Sequence, residues 1–294
     1  RRGHLQGNRL SIRIRETDPL KAPVVLKQLR NIEAAGVPNY YGFQRFGYRS
    51  NTHILGYHTL REDWSAVLDE LIGATGSSFP ERQREPRELY DAGEYSKSLR
   101  FWSRNEHAEV AALRALIKGA DPVKAVQMIN KYTVNFWVSA YQSTVFNRVL
   151  DNRIDEGTLS GIQIGDVAMR HESRRQFVVH KEIFEDPELS GSVDRLEVSA
   201  TGPIWGRHML EPLDEVRELE LKALAEIGGT VDLVENSSMV PRGTRRPVRI
   251  KVEHIEVDSG VDEHGAYVRT AFDLPRGSYA TVLLRELVKG IDPD

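Results

Sequence analysis

Apolar residues recur along this chain with two different periods, and the points where the period changes mark its elements. Over residues 10–15, Leu10, Ile12 and Ile14 alternate with Ser11, Arg13 and Arg15, the two-residue period of a strand with one apolar and one cationic face. Asp18 and Pro19 interrupt it. Over 20–35 the apolar residues Val24, Leu26, Leu29 and Ile32 return at helical spacing, and Gly36 and Pro38 supply stop signals. The opening therefore predicts a strand, a helix and a stop.

Residues 36–47, GVPNYYGFQRFG, carry no period and predict a built loop. From Asp63 onward the pattern is mostly helical, with a polar break over 75–86 and amphipathic stretches over 106–118 and 123–132. The strongest helix covers 134–154, where Val134, Trp137, Val138, Tyr141, Val145, Val149 and Ile154 keep one face apolar. Gln142, Ser143, Asn147 and Arg148 occupy the other. Short strands follow over 157–207, among them 176–180 and 196–200, closed by the break Thr201-Gly202-Pro203. A helix over 213–227 ends at Gly228. Val248, Ile250 and Val252 then alternate with charged residues, and 267–274 alternates again. These two strands are expected to pair as an antiparallel hairpin around a polar loop at 258–265, before a last helix over 279–289. The order implies nesting: a strand and helix at the front and a hairpin and helix at the back form two pieces of one α/β domain, with a helix-rich insertion between them.

At 294 residues the chain exceeds a comfortable single core, so two domains are expected. Its 40% hydrophobic and 28% charged residues are a globular composition. The absence of cysteine excludes disulfides, thiolate nucleophiles and Cys-based zinc sites, and fits a reducing cytoplasm. No apolar run reaches the roughly 18 residues of a membrane span. The net charge of −3 conceals an uneven distribution. Arg1, Arg2, Arg9, Arg13, Arg15, Lys21, Lys27 and Arg30 stand against only Glu16 and Asp18, and a second basic cluster gathers Arg242, Arg245, Arg246, Arg249 and Lys251. Brought together, the two would attract phosphates; left apart, they are solvated faces. Nucleophile-elbow, Walker, Rossmann and zinc-protease signatures are missing. His53 and His58 are read as surface or structural histidines, and Asp258, Asp262 and Glu263 as a solvated turn without calcium-loop spacing.

Six segments in order, GHLQGNRLSIRIR, GVPNYYGFQRFG, SAYQSTVFNRVL, TGPIWG, GTRRPVRI and PRGSYATVLLREL, resemble the TruD family of tRNA pseudouridine synthases across nearly the whole chain. The resemblance implies a pseudouridine-synthase catalytic domain, an α/β (α+β) unit on a mixed or antiparallel sheet, interrupted by the family's insertion domain. The corresponding division is 1–37, 38–240 and 241–294. It also implies the reaction: a uridine of tRNA, at position 13, is flipped out, its glycosidic bond is cleaved, and C5 is joined to the ribose. No cofactor, metal or membrane enters, and a monomer is expected.

By the same resemblance Asn8 is the family's Gly-Asn asparagine, contacting substrate or the catalytic loop, while Leu10 stands where an aromatic is common. Tyr279 matches the aromatic that stacks on the flipped uracil, and its hydroxyl is a candidate acceptor for the C5 proton. Arg285 is expected beside the nucleophilic carboxylate. Arg1, Arg2, Arg45, Arg49, Arg245 and Arg246 are expected phosphate contacts, and Tyr40, Tyr41 and Phe46 are expected to pack and shape their loop. The family's nucleophilic aspartate lies in a Gly-Leu-Lys-Asp-Arg-like segment that does not occur here. The chain is therefore expected to be a piece that lacks it, incomplete at the N-terminal end of its catalytic sheet and inactive alone. The competing expectation is a non-catalytic RNA-binding protein on the same scaffold.

Overall fold

The computed structural model describes residues 7–289. The opening strand β1 (Gly7–Arg15) pairs antiparallel with β9 (Gly265–Pro275) at the far end of the sequence, and β9 pairs with β8 (Glu253–Asp262). The three strands form one sheet in the order β1-β9-β8. Leu10 stands opposite Phe272 and Ile14 opposite Val268, so the apolar side of β1 shares a face with that of β9. Helices Ala22–Ala35 and Ala280–Lys289 cover this face, and Val25, Leu29, Val268, Phe272, Leu274, Val282, Leu283 and Leu287 make its core. The first helix is entered through Asp18, which accepts a hydrogen bond from the Leu20 amide (2.9 Å), followed by Pro19. It ends at Gly36, whose φ of +79° suits glycine; a Cβ there would meet Leu196 at 3.1 Å.

The hairpin forms, but from other residues than its periodicity predicts. Strand β8 begins at Glu253 and runs through the expected polar loop, leaving Glu263 and His264 as a two-residue turn closed by Asp262 opposite Gly265. Asp258 and Asp262, which look like a solvated loop, lie in a strand, while Glu263 stays in the solvated turn. Asp258 meets Arg269, and Asp262 meets Arg13 and Arg15. Val248, Ile250 and Val252 are buried because the chain crosses between sheets there. Strand β6 (Thr244–Pro247) joins the middle of the molecule, while β7 (Arg249–Ile250) pairs with β2 (Val37–Pro38).

Between β2 and β7 lie helices around a core of Val67, Leu68, Leu113 and Trp137, and a second antiparallel sheet. Its order is β4-β3-β5-β6, with β3 at Val167–Arg170, β4 at Gln176–Val178 and β5 at Val198–Ile204. Thr201-Gly202-Pro203, expected to end β5, continues it. Pro203 lies past the last residue paired with β3 and is flanked by β6 alone, so no central ladder position lacks a donor. At Gly202 a Cβ would stand 2.9 Å from the Phe146 ring, so glycine lets the strand approach the long helix Lys131–Asp155. Phe146, Leu150, Ala200 and Val248 close that contact. A helix at Thr52–Leu60, which the sequence pattern does not separate, packs its Gly56 against the backbone of Trp137. Among the described residues no helix is long and apolar enough to cross a membrane.

Candidate active site

Tyr279 follows the turn that leaves β9 and precedes helix Ala280–Lys289. In the β1–β9 register Gly7 stands opposite Pro275 and Asn8 opposite Leu274, which brings the exposed Asn8 and the turn leading to Tyr279 to one end of the sheet. Residues more than 260 positions apart in sequence meet because β1 and β9 are neighbours. Leu10, where an aromatic was the expected family residue, packs into the sheet core instead.

The loop at 36–47 supplies the other wall. The Tyr41 ring lies 6.0 Å from that of Tyr279, edge to face, and Phe146 braces Tyr41 from behind at 5.8 Å. Gly42 permits this closeness, since a Cβ there would stand 3.0 Å from the Tyr279 ring and 3.1 Å from the Thr281 hydroxyl. The long helix grips the loop with a stripe of polar residues spaced by four, and such residues share one face. Asn147 accepts from the Tyr41 amide (2.9 Å) and donates to the Tyr41 carbonyl (3.0 Å). Asp151 accepts from the Tyr40 hydroxyl (2.5 Å), and Ser139 and Ser143 accept from Arg45 (2.6 and 3.1 Å). Tyr40 and Tyr41 pack as expected of them, but the hydrogen bonds that orient them come from the helix.

Buried Asn39 is a second anchor. Its backbone and side-chain amides donate to the carbonyls of Val248 and Pro247 (both 2.8 Å), while its own carbonyl and its Oδ1 accept from Arg246 (3.1 and 2.6 Å). Arg246 also donates to the Gly277 carbonyl (2.9 Å) and lies 4.1 Å over the Tyr41 ring. One guanidinium therefore ties the loop, β6 and the turn before Tyr279 together. Pattern reasoning missed Asn39, since a buried asparagine in an aperiodic loop carries no periodic signal; the four-residue spacing from Ser139 to Asp151 was there to be read.

Two guanidiniums, Arg45 and Arg246, act on the Tyr279 phenol. Burial pushes the Tyr279 phenol above its ordinary value, against the opposing pull of Arg45 and Arg246, so the hydroxyl is neutral at physiological pH. Among the described residues Arg45 and Arg246 hydrogen-bond to no carboxylate: Arg45 donates to two serines, and Arg246 to Asn39 and Gly277. Arg285 lies 5.1 Å from the Tyr40 ring and 3.5 Å from Glu286, lining a cavity of about 230 Å³ with Tyr40, Asp151 and Thr281. A larger cleft of about 720 Å³ runs past Asn39, Tyr41, Arg246, Arg174, Lys251 and Ser278.

Two expected phosphate contacts are corrected. Arg245 is buried in a pair with Glu220 (2.5 Å) and bonds Thr201, so no phosphate reaches it. Arg49 spends its guanidinium on the carbonyls of Glu70, Ser77 and Ser78 and leaves a side chain 4% exposed. Alternation in β6 turns Arg245 inward and Arg246 outward, a distinction the Arg-Arg pair cannot express in sequence. The basic side of β1 is also neutralised: Arg9 meets Glu256 and Asp273, and Arg13 and Arg15 meet Asp262. Arg1 and Arg2 lie outside the described residues.

The family model described as "tRNA pseudouridine synthase D (TruD)" matches residues 1–287. The chain belongs to the tRNA pseudouridine synthase D family. It is 34% identical over 289 residues to the tRNA pseudouridine synthase D of Geotalea daltonii, covering 98% of this chain and 70% of that one. The Geobacter sulfurreducens relative of the same name is 35% identical over 292 residues, covering 98% and 69%. A crystal structure described as the putative tRNA pseudouridine synthase D of Methanosarcina mazei superposes with a TM-score of 0.83 at 26% identity, over 98% of this chain and 70% of that one. Tyr279, Tyr41, Arg45 and Arg246 form the candidate site of this TruD-family chain.

Proposed function

We propose that this chain is the scaffold of a tRNA uridine isomerase that acts at position 13, as a monomer in the cytoplasm, without a cofactor. The single observation that carries the reading is Tyr279, half-buried with its ring 6.0 Å from that of Tyr41 and within the electrostatic reach of two guanidiniums that hydrogen-bond to no carboxylate among the described residues, at the sheet end shared with Asn8. A flipped uracil stacked on Tyr279 gains about 1–3 kcal/mol, which offsets much of the cost of unstacking it. Arg45 and Arg246 suit the phosphates on either side of that nucleotide. Asn8 contacts the ribose or base, and Arg285 holds the nucleophilic carboxylate ionised. The division 1–37, 38–240 and 241–294 goes with this reading, with the return crossing set later, after β6.

The isomerisation needs a carboxylate that attacks the nucleotide, and the family's Gly-Leu-Lys-Asp-Arg-like segment does not occur in this sequence. We assign that carboxylate to none of the 294 residues. In a tritium-release assay on tRNA labelled at uridine C5, this chain alone is expected to release nothing, and a form extended at its N-terminus to release tritium from position 13. Turnover by the 294-residue chain overturns the assignment. Salt-sensitive tRNA binding without turnover in both forms describes a non-catalytic binder instead. In the active form, Tyr279→Phe with unchanged turnover removes the hydroxyl from proton transfer, while Tyr279→Ala is expected to abolish turnover.

A further inference from the structure

The long helix Lys131–Asp155 already has a full apolar face: Val134, Trp137, Val138, Tyr141 and Val145 are all buried. Two more aromatics lie off that face, Tyr132 with 76% and Phe136 with 40% of its surface exposed. Four residues apart, they are neighbours on one side of the helix. Folding does not account for them, because neither fills the core. Phe136 is joined to the site above by Arg45, whose guanidinium lies 4.7 Å from the Phe136 ring and 5.5 Å from the Tyr41 ring, with Tyr279 6.0 Å beyond Tyr41. An alternating track of π faces and a cation therefore leads outward from Tyr279 and ends on the exposed rings.

We propose that Phe136 and Tyr132 form a second stacking platform, which receives an unpaired nucleobase next to the target nucleotide while Arg45 holds the phosphate between the two. This rests on the isomerase reading and extends it from one nucleotide to the single-stranded segment around it. Charge complementarity selects the occupant: Arg45 is held by Ser139 and Ser143, and among the described residues no carboxylate hydrogen-bonds it, so an acidic backbone is the missing partner. Exposed aromatic rings take any base by its π face, and the interleaved cation takes the backbone. The platform requires unpaired RNA, since bases inside a duplex offer no free face.

The test measures binding rather than turnover, with a short single-stranded RNA and a fully paired duplex of the same composition, at two salt concentrations. Tyr132→Ala and Phe136→Ala are each expected to weaken single-strand binding about five- to tenfold, the low end of what one stacked base contributes. Duplex affinity and the salt slope should not change, and Phe136→Trp should restore binding. Arg45→Ala, by contrast, should lower the salt slope. Superimposable melting curves exclude misfolding, and Tyr132→Ala gives an independent reading should Phe136→Ala disturb Arg45. Unchanged single-strand affinity in both alanine variants, equal losses on duplex and single strand, or a change only in self-association would each overturn the platform. A wild-type chain that binds no RNA would sink the isomerase reading and the platform together, an outcome distinguishable because no variant enters it.

Discussion

At the scale of single residues, neighbours in sequence have different fates set by what stands across from them. Arg245 and Arg246 are adjacent, yet one is neutralised inside by Glu220 and the other faces Tyr41 and the Tyr279 turn. Arg13 and Arg15 share Asp262; the Arg15 hydrogen bond first, then that of the His264 amide and the nearby charges of Arg15 and Arg13, hold its carboxyl at about 2, well below the usual carboxylate range. A depressed carboxyl in the folded state contributes stability above the unfolded value and loses it as pH falls toward 2. An NMR titration should find the Asp262 midpoint near 2 and, in Arg15→Ala, a return toward the ordinary carboxylate value of 3.8. An unmoved midpoint would dissociate Arg15 from the shift.

At the scale of elements, the long helix has two tasks, and only one was legible. Its apolar period predicts Val134, Trp137, Val138, Tyr141, Val145, Val149 and Ile154 as core; the first six are buried, while Ile154, in the last turn of the helix, is left 40% exposed. The stripe Ser139, Ser143, Asn147 and Asp151 looks like an ordinary solvated face until the loop at 36–47 lies against it. Asn147→Ala removes both partners of the Tyr41 backbone. Each half-buried group left unpaired costs on the order of 1–3 kcal/mol, so chemical denaturation should register that loss. The loosened Tyr41 should also raise KM for tRNA in whichever form of the protein turns over. A variant with wild-type stability and KM would show that Tyr41 is held by its ring contacts with Phe146, Tyr279 and Arg246 rather than by Asn147. The hairpin teaches the complementary lesson: β8 reads as a loop because its outer face is acidic, and it is a strand because β1 and β9 supply arginines to meet that face.

At the scale of the whole molecule, the middle sheet depends on buried charge. Arg245 of β6 and Glu220 of helix Asp214–Glu226 pair out of water, as do Arg153 and Asp166. Removing one partner strands the other's charge, at a cost of about 3–5 kcal/mol. Glu220→Ala should therefore lower the denaturation midpoint far more than the exposed Glu197→Ala, and equal effects would mean that water enters the pair. Such pairs escape a reading of the sequence, because Glu220 has the composition of a helix surface and Arg245 that of a basic patch.

Taken by itself, the order of residues determined what is local. It set the period of β1 and the helices, the stops at Gly36 and Gly228, and the ordered motifs that carry the family. Tertiary structure decided everything that depends on what stands opposite: which arginines are sealed, where β8 begins, that Thr201-Gly202-Pro203 continues a strand, and that Asn39 and Asn147 aim the loop at Tyr279. The physical reason is that period and turn chemistry act within a few residues, whereas burial, pairing and desolvation are set by partners brought close only when β1 and β9, some 260 residues apart, lie side by side.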